Sequence, residues 1–462
     1  MRSRRNDIDM LHGPLAGKLF LFALPLAASA VLQQLFNAAD LAVVGNFATP
    51  QAMAAVGSNG SVISLLVSLF VGMSVGANVV IANLIGAGRR EDINDAVHTV
   101  VALALASGAF LMAAGMLLAP RILRMMGAPE EVMSLAVVYL RIYFVGMPAI
   151  MLYNFGSAVL RSHGDSRRPF MSLTLAGIVN VLLNLLFVIV FRLHVIGVGL
   201  ATVLSNYLAA GLTVAFLMNE QPEYRLRPAK IRFKREYLVS VLKIGVPAGI
   251  QGMVFSLSNV VIQTAVNSFG ANCIAGNTAG QNFEFISYCI INAFGQTVVT
   301  FVSQNYGAGD AARCKKALRE GALICLGIDI AVLAALYAGR YTAIRLFTTD
   351  PAIIEFAMVR IRYAMAFHFL CITYELPAGA LRGLNWSVVP ALISMLGTCA
   401  FRLVYVLVYL PTHRSMETLI SVYPISWVLT GIVMITAYFI VSRKAFGELG
   451  VRSEERGVGE GD

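Results

Sequence analysis

Asp40, Glu284 and Glu375 are carboxylates set inside long apolar runs. On insertion scales a charged side chain at mid-bilayer costs about 2.5–3.5 kcal/mol, so each acid needs a chemical reason. Asp40 lies deep in the run 15–44, well past Pro25. Gln33, Asn37 and Asp40 are spaced by four and three, which puts them on one helix face. That face is expected to look into a cavity rather than into lipid. Burial disfavours the ionised form of a carboxylate, so an acid here can take up a proton and release a cation. Pro25, and Pro247 in a corresponding run, are the expected hinges, because an internal proline breaks the hydrogen-bond ladder of a helix.

Other polar residues recur inside apolar runs. Asn180 and Asn184 are one turn apart, and Thr202, Ser205 and Asn206 lie close together. Asn277, Gln281, Glu284, Tyr288 and Asn292 are spaced by four, three, four and four, a continuous polar stripe with Glu284 its only charge. Such a stripe can attract an organic cation or carry a proton; the plainer alternative is hydrogen bonding between helices. His368, Glu375 and Arg382 are seven apart and nearly share a face, so Glu375 can pair with either neighbour. Arg141, Asp329 and Arg402 also lie within apolar runs and read as structural pairs whose partners the sequence does not identify. The 19 Met and 26 Phe could line a forgiving cavity, although most are expected to face lipid or pack helices.

The elements that position these groups follow from composition. Apolar residues make up 58% of 462 positions and charged residues only 13%, half the roughly 25% of a soluble domain. Too little charge remains to coat a soluble surface, and a bilayer removes that need. A helix needs about 20 apolar residues to cross the hydrocarbon. Runs near 15–44, 52–84, 94–119, 132–158, 169–192, 197–218, 237–268, 272–304, 315–338, 352–380, 388–411 and 418–442 meet this length. The fold class expected is therefore all-α, a polytopic membrane protein of twelve transmembrane helices in two six-helix lobes. Arg2, Arg4 and Arg5 ahead of the first run suggest a signal peptide, but the run continues past Ala28-Ser29-Ala30 to Val44, so the segment reads as a span. With the N-terminus inside, Lys and Arg in cytoplasmic segments outnumber those outside by 24 to 6. This bias places both termini in the cytoplasm and the chain in the cell membrane. The net charge of +10 comes from these short segments and forms no basic face for nucleic acid. The six cysteines form no CxxC pair, so neither a disulfide framework nor a zinc site is expected.

The chain repeats itself at an offset of 221 or 222 residues. Pro25 matches Pro247, Gly86-Ala87-Gly88 matches Gly307-Ala308-Gly309, Leu160-Arg161 matches Leu381-Arg382, and Pro169 matches Pro390. The expected organisation is a lobe at 1–218, a cytoplasmic linker at 219–236 carrying Pro222 and Pro228, a second lobe at 237–442 and a tail at 443–462. Six spans per half gives both halves one orientation, the parallel repeat seen in transporters that rock two lobes around a central site.

LRSHGDSRRP (160–169), SQNYGAG (303–309), ALP around Pro25 and GVP around Pro247, in this order across twelve spans, resemble the multidrug and toxic compound extrusion (MATE) family over nearly the whole chain. The resemblance implies efflux of amphipathic, often cationic, compounds in exchange for inward-moving protons or sodium ions. In the proton-coupled branch an Asp placed like Asp40, after a bend-prone Pro, is the coupling residue, joined to polar groups at places such as Asn180, Asn184 and Thr202. Some members carry a second acid where this chain has Asn184. The sodium-coupled branch uses acids in the seventh and tenth spans. Here the seventh offers only Gln251, Ser258, Asn259 and Gln263, and Glu375 does not clearly align with the tenth-span acid, so protons are favoured over sodium.

Several motif matches fail on context. Gly72-Met73-Ser74-Val75-Gly76 fits GxSxG, but inside a span it reads as small-residue helix packing rather than a nucleophile elbow. Gly13 to Lys18 is one residue short of a phosphate loop and is followed by Leu19, so transport is expected to run on an ion gradient. The glycosylation matches at Asn59 and Asn385 fall in a span and in a cytoplasmic segment. The expectation is a proton-coupled multidrug antiporter without cofactor, acting as a monomer on small organic cations amid membrane lipids. The alternatives are a sodium-coupled exporter, a flippase for lipid-linked oligosaccharides, and a membrane-embedded enzyme or sensor.

Overall fold

The computed structural model describes residues 7–47, 50–125, 130–345 and 348–459, without the side chains of 50–54, 57, 58, 61, 62 and 449–459. Arg2, Arg4 and Arg5 lie outside the described residues, as do the side chains of Arg452 and Arg456. Among the described residues no strand occurs. Apolar segments in hydrocarbon must satisfy every backbone N–H and C=O internally, and helices do so.

The first half runs α1 (Ala16–Phe47), α2 (Pro50–Gly86), α3 (Arg90–Met125), α4 (Glu130–Val145), α5 (Met147–Ser162), α6 (Arg167–Asn184) and α7 (His194–Met218). The second half runs α8 (Arg235–Asn267), α9 (Ala271–Gly307), α10 (Ala311–Ala338), α11 (Arg340–Arg345), α12 (Pro351–Tyr363), α13 (Ile372–Gly383), α14 (Val388–Ser394), α15 (Phe401–Val404) and α16 (Met416–Gly459). Eleven helical stretches are long and apolar enough to span a membrane, and α4 with α5, bent by 44°, makes a twelfth. The twelve expected spans therefore each have a counterpart. The bend falls at Gly146, with Pro148 opening the next helix. In the second half a tight 3-10 stretch, Met365–Cys371, joins α12 to α13.

The repeat is visible in the helices themselves. α2 and α9 each span 37 residues and start 221 positions apart. A π-helical stretch, Leu185–Val190, follows α6, and another, Tyr405–Tyr409, follows α15 near the corresponding place. One further π stretch, Met395–Ala400, precedes α15.

The chain divides into two compact units. One comprises 1–9 and 28–249, the other 10–27 and 250–462. One division precedes α1, between residues 9 and 10, and the other two fall inside long helices, two residues after Pro25 in α1 and two residues after Pro247 in α8. Each of these helices thus contributes one segment to each unit.

In the first unit, the α8 segment crosses α2 at bare backbone. A Cβ on Gly249 would lie 2.1 Å from the Leu69 carbonyl oxygen, and one on Gly76 would lie 2.3 Å from that of Val241. The GxSxG match is accordingly a helix-crossing surface, with Gly72 against Gly249. Asn59, the first glycosylation match, is buried and donates to the carbonyls of Ala55 and Ala136 at 2.7 and 3.1 Å. All six cysteines are free and buried.

Candidate functional site

In the first unit α6 and the end of α1 meet around Gly177. A Cβ there would sit 1.7 Å from the Phe36 ring, so only glycine lets this ring seat on α6. One turn on from Phe36, Asp40 then faces Asn184, whose Nδ2 donates to Asp40 Oδ1 at 2.5 Å. The same amide nitrogen donates to Asn180 Oδ1 at 3.2 Å. Thr202, on α7, completes the polar side of the site next to Asp40. Its hydroxyl also donates to the Val198 carbonyl at 2.9 Å.

The rest of the surroundings is apolar or neutral. Val43, Val44, Val188, Val195 and Val198 form a buried cluster with Tyr139, and Tyr143 packs on it. Both tyrosines are close enough to feel the carboxylate. Among the described residues the partners of Asp40 are neutral. Asn184 is buried and its Oδ1 takes no hydrogen bond, which leaves it an unused acceptor. An amide of this kind can serve both forms of an acid: its NH2 donates to the carboxylate, and after a flip its oxygen accepts from the protonated carboxyl. Gln33 and Asn37, expected on the same face, are exposed.

The second unit holds a different arrangement. Glu284, 7% exposed, is gripped by Arg360 on α12, with Nε to Oε1 at 2.9 Å and Nη2 to Oε2 at 2.7 Å. Arg360 Nη1 also donates to Asn277 Oδ1 at 2.8 Å. The expected polar stripe is therefore divided. Asn277 and Glu284 are buried against α12, whereas Gln281 and Tyr288 are exposed. Arg360 does not stand out in the sequence, because it lies near the start of the tenth span beside Arg362, where a basic residue reads as belonging to the span's end. A basic residue at that depth in the tenth span, facing an acid two spans earlier, was the available signal.

Neither partner considered for Glu375 takes it as an ion pair. Arg382 Nη2 donates to Gln251 Oε1 at 2.8 Å, and His368 Nδ1 meets Ser287 Oγ at 2.6 Å. Glu375 is half-buried and packs on Gly295. Arg402 is 1% exposed, donates to Ser426 at 3.0 Å and stacks 4.6 Å over the Tyr423 ring. Arg141 is exposed and donates to the Met116 carbonyl at 3.3 Å. Among the described residues no group of three or more His, Cys, Asp or Glu could hold a metal ion.

The sequence motifs sit at helix ends and hold chain segments in place. In LRSHGDSRRP, Asp165 accepts from the backbone of Arg167 and Arg168 at 2.8 and 3.1 Å. Arg168 pairs with Asp165 and Glu220, and His163 stacks on Tyr224 at 4.9 Å. The Gly164 carbonyl accepts from Ile8 N at 3.1 Å, which ties in the N-terminal segment. Burial pushes the carboxyl of Asp7 up from its ordinary value, while His163 and Arg168 pull it back. In SQNYGAG, Asn305 donates to the Met10 carbonyl at 3.2 Å, and Arg313 binds the carbonyls of Met10, His12 and Gly13. The linker is held likewise: Asn94 donates to the carbonyls of Pro222, Glu223 and Arg225, and Asp95 pairs with Arg232 and Lys234.

Comparison with known proteins decides the family. The MatE family profile matches residues 25–186 and again 247–408, one copy for each half. The chain belongs to the MATE family. A probable multidrug resistance protein NorM of Thermotoga maritima is 28% identical over 84% of both chains. A protein of Shewanella oneidensis named FAD transporter is 26% identical over 75% of this chain and 77% of its own. Among solved structures, a MOP-superfamily transporter from Pyrococcus furiosus superposes with a TM-score of 0.86 at 22% identity, over 97% of this chain and all of that one. This MATE chain is thus a multi-pass membrane protein of a multidrug efflux transporter family, with the all-α fold of its structural relatives.

Proposed function

We propose that this protein is a proton-coupled antiporter that exports amphipathic organic cations by alternating access. The observation that carries the reading is Asp40: a half-buried carboxylate in an apolar helix, bonded to Asn184 at 2.5 Å, with neutral partners among the described residues. Without a guanidinium or ammonium to hold its charge, such an acid changes protonation instead. The spare acceptor of Asn184 gives the protonated acid a partner too.

In the proposed cycle, deprotonated Asp40 favours the cation while the site faces the cytoplasm. A proton entering from outside neutralises the acid and the cation leaves. The coupling is the difference in cation affinity between the two protonation states. Pro25 and Pro247 are the proposed hinges, since a unit boundary falls two residues beyond each of them. Gln33 and Asn37 on the same helix, and Gln281, Tyr288 and Glu375 in the second unit, are proposed to contact the substrate. Glu284 is proposed to act there together with Arg360, as a pair without net charge. The chain is proposed to work as a monomer in the cell inner membrane with both termini in the cytoplasm.

Asp40→Asn tests this reading. It keeps the shape and removes the ionisable group. In proteoliposomes the variant, fixed in the neutral state, is expected to bind a fluorescent organic cation more weakly and to lose proton-driven transport. Transport at the native rate in that variant would refute the assignment.

A further inference from the structure

The first turns of α10 carry a group of cations that the exchange at Asp40 leaves unused. Ala312, Lys315, Lys316, Arg319 and Glu320 line a recess of about 320 Å³. Lys315, Lys316 and Arg319 are exposed. Lys316 reaches Glu320 at 3.6 Å, while among the described residues no carboxylate pairs with Lys315 or Arg319. With three cations against one acid, the recess holds two positive charges in excess. Lys315 is also positioned: its Nζ lies 5.1 Å from the centroid of the Phe446 ring on α16, within reach of a cation–π attraction. Two residues before Phe446, Lys444 Nζ lies 5.3 Å from the centroid of the Trp386 ring. Tryptophan collects at the headgroup level of a bilayer, so this end of the unit belongs to the interface.

The recess opens onto an apolar stripe. Lys316, Glu320, Leu323, Gly327 and Ile330 are spaced by four, three, four and three, which puts them on one face of α10. Leu323 is 59% exposed and Ile330 47%. Gly327, between them, is exposed, and a Cβ there would meet nothing within 4 Å, so the stripe is notched. α10 is long and apolar enough to span a membrane, and this face of it runs from the charged recess into the hydrocarbon. A soluble anion would satisfy the cations and leave the stripe untouched. A neutral lipid would cover the stripe and leave the excess charge unmatched. A lipid with an anionic phosphate headgroup matches both, its phosphate in the recess and an acyl chain along Leu323, Gly327 and Ile330.

We propose that the start of α10 is a binding site for an anionic phospholipid, with Lys315, Lys316 and Arg319 holding the headgroup phosphate and the notched stripe seating an acyl chain. The site stands whichever way the chain is inserted, and it takes no part in the exchange at Asp40.

Native mass spectrometry of the full chain in detergent, titrated with phosphatidylglycerol or with phosphatidylcholine, tests it. The first phosphatidylglycerol should bind about fivefold or more tightly than phosphatidylcholine, which is what one cation near an anionic headgroup contributes. Lys315→Gln/Lys316→Gln/Arg319→Gln changes only exposed side chains and should bring the two lipids to near-equal affinity. Arg227→Gln/Lys230→Gln/Arg235→Gln removes as many exposed cations from the other unit and should leave the preference in place. Glycerol phosphate, the headgroup without acyl chains, should not displace the lipid. Equal affinities in the native chain, a preference that survives the α10 variant, or one lost equally in the control variant would overturn the proposal. Displacement by glycerol phosphate would overturn it too, by making the site one for soluble phosphate esters.

Discussion

The residue scale turns on what each charge within the apolar helices meets. Asp40 has an amide 2.5 Å away, whereas Glu284 has a guanidinium held by two bonds. Two acids that read alike in the sequence are therefore predicted to behave differently. Asn184→Asp would put a second carboxyl against Asp40, and two acids so close cannot both ionise. The pH profile of transport should then split into two steps, whereas the native protein should show one at this site; transport rate against pH reads this directly. Breaking the Glu284–Arg360 pair from one side, by Glu284→Gln or Arg360→Met, should cost about 3–5 kcal/mol. Replacing both by Met should cost far less, and thermal denaturation of the purified variants measures the difference. The first site was legible because Asp40, Asn180, Asn184 and Thr202 are polar residues at helical spacing in apolar runs. The ion pair was not, because spacing within one helix carries no information about which side chain faces it from another. Asp329 shows the same limit: its sequence suggested a partner, and its carboxylate oxygens have none.

Hydropathy alone placed the helical elements, since length and apolarity are what the bilayer requires. It did not place the 44° bend between α4 and α5 or the 3-10 stretch before α13. Both interrupt runs that hydropathy reads as continuous. The π stretch after Asn184 was equally invisible, because it adds no polar residue; π-bulges are frequent at functional sites, and this one begins where Asp40 is held. The crossing of α2 and α8 gives a prediction at this scale. Gly249→Val puts a side chain where a Cβ alone would lie 2.1 Å from the Leu69 carbonyl oxygen. The crossing must open, and overpacking of this kind costs about 1–3 kcal/mol. Oxidative cross-linking between cysteines introduced at Leu69 and Ala248 should fall steeply in the Gly249→Val background, and Gly249→Ala should show a smaller loss.

Over the whole molecule, the duplication explains why two profile matches, two 37-residue helices and two internal prolines recur at a spacing of 221 or 222 residues. The repeat offset was readable from four short matches. The division of the chain just beyond Pro25 and Pro247 was not, because it depends on which helices the segments pack against. Orientation is tested by Lys230→Cys and Arg414→Cys, both at exposed positions in a chain whose own cysteines are buried. In intact cells a membrane-impermeant thiol reagent is expected to label position 414 and to miss position 230; the reverse pattern would invert the assigned topology. The central claim is that protons entering drive cations out. The most direct measurement is release of a fluorescent organic cation from proteoliposomes under a proton gradient or a sodium gradient, each imposed alone. The account predicts release under the proton gradient only, lost in Asp40→Asn. Release under sodium alone, or under neither, would contradict it.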